Sequence, residues 1–367
     1  MMNKLKFKDK INVDLLIYLA IVVVSVIILA FLDMNKFEYN YAISIIEKSL
    51  VYAVVALSMN IVTGFTGLFS LGQAGFMALG AYTTAILTIP VASRPNVYYM
   101  NGILPALENA VVPIPVALIL GGLVAALFAA LIGIPVLKLK SDYLAIATLG
   151  FSEIIRAVIA SPMMDKITNG SYGLKSIPGF KSSVECFAFS LICIVLMVLI
   201  INSSTGRDFK AIREDEIAAR SVGINIFKTK ELSFVVSSFF TGVGGGLLAM
   251  FMRSIDSKTF QITLTYDILL IVVLGGIGSI TGSIVGAFFV TAGKEILRFF
   301  DEPLVVAGTE IPLFKPGFRM VIFSILLMVV VLFFRKGLLG GKELSIKGMK
   351  KYSRKKEEQN IDEGGAV

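Results

Sequence analysis

At 367 residues, with 56% hydrophobic and only 16% charged residues, the chain is more apolar than a soluble domain, in which about 25% of residues are charged. Its net charge of +8 does not point to nucleic acid, because Lys and Arg gather between and beyond long apolar blocks, as membrane topology requires. It has two Cys, both in or beside an apolar run, and no His, so no disulfide framework, metal site or cofactor is expected.

Lys4, Lys6, Lys8 and Lys10 precede an apolar stretch from about Leu15 to Leu32. That stretch is longer than a signal-peptide core and lacks a small-residue cleavage site, so it reads as a retained first span. Ten segments approach the roughly 20 residues that cross a bilayer: 13–32, 43–63, 72–89, 113–135, 143–160, 186–202, 232–252, 266–280, 282–300 and 318–334. The eighth and ninth are one apolar region, broken by Gly275, Gly276, Gly278, Gly282 and Gly286.

Charge assigns the sides. With the N-terminus inside, segments 1–12, 136–142, 203–231 and 335–367 are cytoplasmic and hold 21 of the 34 Lys and Arg, against eight in the external segments. Both ends are strongly basic, so both are expected in the cytoplasm, which needs an even span count and therefore two helices within 266–300. The expected layout is a basic N-terminus (1–12), a transmembrane domain (13–334) and a charged tail (335–367) that reads as disordered and suited to anionic lipid. The fold class is all-α and polytopic, with about ten helices, Gly-rich breaks and a cytoplasmic segment at 206–225.

Two Gly-rich stretches stand out. Asn60–Gly80 has Gly at 64, 67, 72, 75 and 80, and the second runs over 275–286. Such glycines serve close helix packing and tight turns, or they break a helix beside a translocation path. On the second reading Asn60, Gly72, Gln73, Gly275 and Gly276 are candidates for the substrate path or gate. Neither stretch ends in Gly-Lys-Ser/Thr, so neither is a phosphate-binding loop of the Walker type. Charges inside spans are costly and need a reason. Glu153 and Arg156, three apart in the fifth span, can pair on one face as a structural ion pair, or serve a gate or a zwitterionic substrate.

Segment 206–225 reads as a short amphipathic helix over 208–223, capped by Asp208 and stopped at Gly223. Ala211, Ile212, Ala218, Ala219 and Val222 share one side, and Arg213, Glu214, Glu216 and Arg220 lie elsewhere. A stripe made largely of alanine suits a partner's groove. A helix on lipid headgroups is the alternative, disfavoured by Asp215 and by the lack of Leu, Phe or Trp in the stripe.

Five ordered blocks, at 60–82, 141–156, 167–174, 206–225 and 269–287, resemble the branched-chain amino-acid permeases of bacterial ABC importers. The resemblance covers most of the chain from about 45 to 290. It implies a permease in the bacterial inner membrane that imports by alternating access and does not itself hydrolyse ATP. The implied partners are a second permease subunit, two cytoplasmic ATP-binding subunits and an extracytoplasmic solute-binding protein. The ATPase contact is then expected at Asp215, Glu216, Ala218, Ala219 and Gly223. Ile217 stands where many importers carry Glu, and Glu216 comes one residue early. Thr168, Asn169, Gly170 and Tyr172, in the turn-rich external loop, are the expected contact for the binding protein. A urea or short-amide permease, an ion-coupled transporter using Glu153 and Arg156, and a channel are the rivals. The topology is testable first: reporter fusions after Phe334 and within 161–185 should report opposite sides of the membrane, and the same side for both overturns the assignment.

Overall fold

Long apolar runs punctuated by glycine and proline make helices that stop and turn, and the computed structural model is helical through nearly all its elements. It describes residues 20, 22–100, 102–139 and 141–297, with 305–306, 309–310, 321–325 and 328 beyond them. The basic N-terminus, most of the tenth expected span and all of the tail lie outside the described residues. Among the described residues the one strand pair, Val305–Val306 with Thr309–Glu310, has two residues on each side.

Helices α1 (Val22–Met34), α2 (Lys36–Asn60), α3 (Gln73–Thr88) and the single turn α4 (Arg94–Val97) form the first third. They are followed by α5 (Ile114–Val136), α6 (Ser141–Ile159), the turn α7 (Asp165–Thr168) and α8 (Ser183–Asn202). Two short helices, α9 (Ser204–Glu214) and α10 (Glu216–Ser221), lead into α11 (Ile226–Met252), α12 (Ile262–Gly275) and α13 (Ile280–Ile296).

Eight of the expected spans, from 43–63 to 282–300, each coincide with one helix. Length then separates them. Four helical segments (Lys36–Phe65, α5, α8 and α11) are long and apolar enough to cross a membrane, or six if two bent pairs each count as one span. The bends are 100° after α3 and 59° after α6. Helices α12 and α13, with 14 and 17 residues, reach only about 21 and 26 Å at 1.5 Å per residue, short of a hydrocarbon core of about 30 Å. Ten full crossings are therefore not reached among the described residues.

Helix α11 is the most buried of the four long spans and α8 the least. It packs against α5, α3 and α2, while α13 lies along α2. Small residues allow this: a Cβ on Gly80 of α3 would collide with the backbone of Gly242 in α11. Lipid gives no hydrophobic drive between helices, so such close backbone approach is a main source of their attraction.

The connecting segments gather at two ends. At one end Leu104 N donates to Lys166 O at 3.0 Å, Asn169 Nδ2 to Val97 O at 3.0 Å, and Leu174 bridges Ile255. At the other, the stretch after α2 meets α9 and the α12–α13 turn. Segments that charge counting puts on one side thus contact one another.

The Pro-rich loop 90–112 is held by Arg94, only 2% exposed. Its guanidinium donates to the carbonyls of Ile89 (3.1 Å), Glu108 (2.7 Å) and Ala110 (2.7 Å), and also to that of Leu107. A cation there also faces the negative end of α3. Each hydrogen bond to a charged group is worth about 1.5–3 kcal/mol. Arg94→Met should therefore lower the thermal midpoint in detergent and open 102–112 to protease. Arg94→Lys, with one point charge in place of the fork, should fall between.

Candidate functional site

The site is built around a break in α2. After Asn60 the helix widens into a five-residue π turn, Ile61–Phe65, closed by Thr66 N donating to Ile61 O at 3.1 Å. The chain then crosses without helix to Gln73. Backbone groups freed inside a membrane protein must find partners in the protein. Leu71 N is taken by Thr148 Oγ1 of α6 at 3.0 Å, and Ala74 N by Thr265 Oγ1 of α12 at 3.1 Å.

Asn60, fully buried, joins this break to the second Gly-rich stretch. Its Nδ2 donates to Ser279 O at 3.0 Å and Ser283 Oγ at 2.7 Å, and its Oδ1 accepts from Gly278 N at 2.8 Å. Gly278 has φ +79°, and a Cβ on Gly64 would collide with Gly278 N, so this contact needs glycine on both sides. The two stretches singled out in the sequence are thus docked on each other.

Gly276, with φ +121°, ends α12, and Gly275 lies against the backbone of Gly282. Gln73 belongs to a buried chain: its Oε1 accepts from Thr241 Oγ1 at 2.6 Å, which lies 2.8 Å from Ser58 Oγ. Gly72 starts α3 against Thr148. Arg156 and Glu153 pair at 2.7 Å, each partly exposed, as their spacing predicted. Among the described residues they show no hydrogen bond to the break.

The charged segment differs from its expected form. It is two helices and not one over 208–223, and Asp208 lies within α9, which Ser203 caps. Asp215 is extended, and its carboxylate accepts from Ile217 N at 2.7 Å and Ala218 N at 3.0 Å. An Asp able to cap a helix start begins a new helix here in place of continuing the old one. The two alanines are neighbours within α10 and face different sides of it. Ala219, 3% exposed, packs on Ile212 and Ile226 of its own chain, whereas Ala218 is exposed between Ile217 (80%) and Val222 (78%). Ala219 is therefore no surface contact in this chain. Glu216 pairs with Lys230 of α11 at 2.6 Å, and Gly223 stops α10 at φ +91°, as expected.

This segment touches the break directly. Arg213 Nη1 donates to Gly64 O at 2.9 Å, while Nη2 is oriented by Glu214 at 2.5 Å. Lys210 Nζ lies 5.4 Å from the centre of the Phe65 ring. Two cations therefore face the carbonyl end of α2, where the helix dipole favours them.

On the opposite end, three of the four expected contact residues point inward. Thr168 Oγ1 donates to Ile159 O at 2.7 Å, Asn169 is left-handed and donates to Gly173 O at 2.7 Å, and Gly170 is buried. Only Tyr172, half exposed beside the exposed Tyr99, faces outward.

Residues 41–332 match the family described as the permease component of branched-chain amino acid transport systems. The chain belongs to this family. Permease proteins LivM of high-affinity branched-chain amino acid transport systems, from Salmonella typhimurium and Escherichia coli, are 32% and 33% identical over 295 and 294 residues. These alignments cover 71% of this chain and 64% of each relative, so the chain spans just under two thirds of their length. A probable branched-chain amino acid transport permease protein LivM of Methanocaldococcus jannaschii is 26% identical over 338 residues, 82% of this chain and 93% of that protein.

For this permease-family chain, sequence reasoning missed Arg213, Lys210, Ser279, Ser283 and Thr241. Arg213 carried a signal, as a cation beside the apolar stripe, but its partner lies 149 residues away. The Asn60 clamp predicts a graded loss. Asn60→Leu leaves Gly278 N unpaired, at about 1–3 kcal/mol, and also removes the bonds to Ser279 O and Ser283 Oγ. Ser283→Ala leaves no backbone group unpaired and removes the two bonds of its hydroxyl, to Asn60 Nδ2 and Ser279 O, at about 1 kcal/mol each. Thermal denaturation should rank the two accordingly, and the double variant should lose less than their sum because they share a bond.

Proposed function

We propose that the chain is a permease subunit of an ATP-driven importer that moves branched-chain amino acids, or a similar small amphipathic solute, into the cytoplasm by alternating access. It sits in the inner membrane with both termini inside, beside a second permease subunit, two ATP-binding subunits and an external binding protein. The observation that carries the reading is the hydrogen bond from Arg213 to Gly64 O. It ties the helical pair α9–α10 to a break whose other side is clamped to the α12–α13 turn. A push on α9–α10 therefore reaches two interrupted helices at once.

The coupling surface is Ile217, Ala218 and Val222, with Asp215, Glu216 and Gly223 shaping α10 behind it. Two large apolar side chains so exposed, Ile217 on a six-residue helix and Val222 at its cap, fit a partner's groove. Family membership favours this reading over the ion-coupled one, and Glu153 already has its charge matched by Arg156. Tyr172 and Tyr99 are the proposed contact for the binding protein.

Ile217→Arg tests the docking. Overpacking and an unpaired charge at a closed contact each cost on the order of a few kcal/mol, enough to cut affinity by roughly a hundredfold. The variant should insert normally but fail to co-purify with the ATP-binding subunits; wild-type transport would leave α10 a mere surface element. Arg213→Met tests transmission: the ATPase should stay bound, while substrate moved per ATP falls by about tenfold, the worth of one charged hydrogen bond. Unchanged stoichiometry removes Arg213 from the route.

A further inference from the structure

A cavity of about 360 Å³ lies between the start of α2 and the end of α11, near the lower bound of small-molecule sites, which run from about 300 to 1,000 Å³. Glu47 and Arg253 both line it, yet among the described residues neither is in an ion pair. Opposite charges facing one space without meeting leave room for a ligand that satisfies both.

The surroundings narrow that ligand. Lys36, Asn40, Ser44 and Glu47 recur at helical spacing on α2, and all four line the cavity. A stripe this polar is costly against hydrocarbon and suits a wet path. The opposite character comes from Ile43 and Met250, both buried, and from the half-buried Phe251. The site thus offers an anion, a cation and an apolar wall.

Arg253 is held for the task. It ends α11 in the left-handed region at φ +57°, unusual for a residue with a side chain. Its carbonyl accepts from Ile177 N at 3.1 Å, and its guanidinium lies against Gly179, where a Cβ would collide with Nε. Lys36 is already engaged, 3.7 Å from Asp33 and donating to Lys181 O at 3.4 Å, so Arg253 is the cation with donors to spare.

We propose that this cavity binds a small zwitterion with an apolar side chain, a free α-amino acid. Its ammonium lies on Glu47, its carboxylate on the Arg253 fork, and its side chain on Ile43, Met250 and Phe251. A planar guanidinium matches a carboxylate in two parallel hydrogen bonds, which makes Arg253 the better carboxylate partner than Lys36. The physiological role, a first stop for solute released at the external face, rests on the importer reading; the binding itself does not. A phosphatidylethanolamine headgroup carries the same pair of charges, so the test must separate the two sources.

The purified full-length chain, in its transporter complex and in nanodiscs of phosphatidylcholine and phosphatidylglycerol, should bind radiolabelled L-leucine saturably without binding protein. Glu47→Gln and Arg253→Gln should each weaken binding at least tenfold while the complex stays monodisperse. Competition then reads the chemistry. 4-Methylpentanoate, which lacks the ammonium, should compete poorly in the wild type but as well as leucine in Glu47→Gln. 3-Methylbutylamine, which lacks the carboxylate, should do the same in Arg253→Gln. Asn40→Leu should weaken leucine binding without altering that pattern.

Equal leucine binding by both charge variants overturns the proposal. So does absent binding in the wild type, including the case where phosphatidylethanolamine co-purifies with it and not with the variants. If leucine fails to bind while loaded binding protein still stimulates ATP hydrolysis, the cavity assignment falls and the importer reading stands. If leucine binds as described but no ATPase pairing responds to a binding protein, the reverse holds.

Discussion

A helix that breaks inside an apolar medium leaves amides and carbonyls that water cannot reach, and each unpaired group is expensive. Here Asn60 answers much of that demand for two breaks at once. Its amide closes on Ser279 O, Ser283 Oγ and Gly278 N, so the α12–α13 turn and the π turn of α2 complete each other. Thr148 and Thr265 take further amides of the stretch that leads into α3. Glycine at 64 and 278 permits the approach, and side-chain hydrogen bonds supply the stability. Because these bonds are few and specific, the junction can exist as a defined contact between separate helices and not as a fused core.

The surrounding architecture follows from that junction. Helix α11 lies against α3, α5 and α2 through backbone contacts between small residues, and α13 lies along α2. The polar chain Ser58–Thr241–Gln73 links α2, α11 and α3 within this packing. Helix α9 reaches the junction through Arg213, and α10 is set at a fresh angle because Asp215 caps it. A short helix with exposed Ile217 and Val222 on one side and buried Ala219 on the other is anchored inward and apolar outward. That polarity suits a surface whose partner is another chain.

Charged groups within and beside the spans fall into three kinds. Arg94 is buried and wholly occupied by carbonyls, so it acts as a brace for the loop after α3. Glu153 with Arg156, and Asp267 with Lys294 at 2.5 Å, match their charges locally. Glu47 and Arg253 share a cavity without pairing, which sets them apart from both.

The sequence by itself determined the class and the helical segments. Apolar length, Gly and Pro punctuation and basic clusters are local properties that each segment carries alone. It also singled out Asn60, Gln73 and both Gly-rich stretches, as candidates for a path or gate or for close helix packing. It could not say that the stretches dock on each other, because Asn60 and Gly278 are 218 residues apart and nothing local encodes their register. The periodicity over 208–223 failed for a related reason: a capping Asp inside an amphipathic pattern restarts the helix and rotates the following face. Thr168 and Asn169 looked like surface turn residues, yet tertiary contacts with Ile159, Val97 and Gly173 draw them inward. Helix identity is written in composition. Which face of a helix is free is decided only when its neighbours have claimed the others.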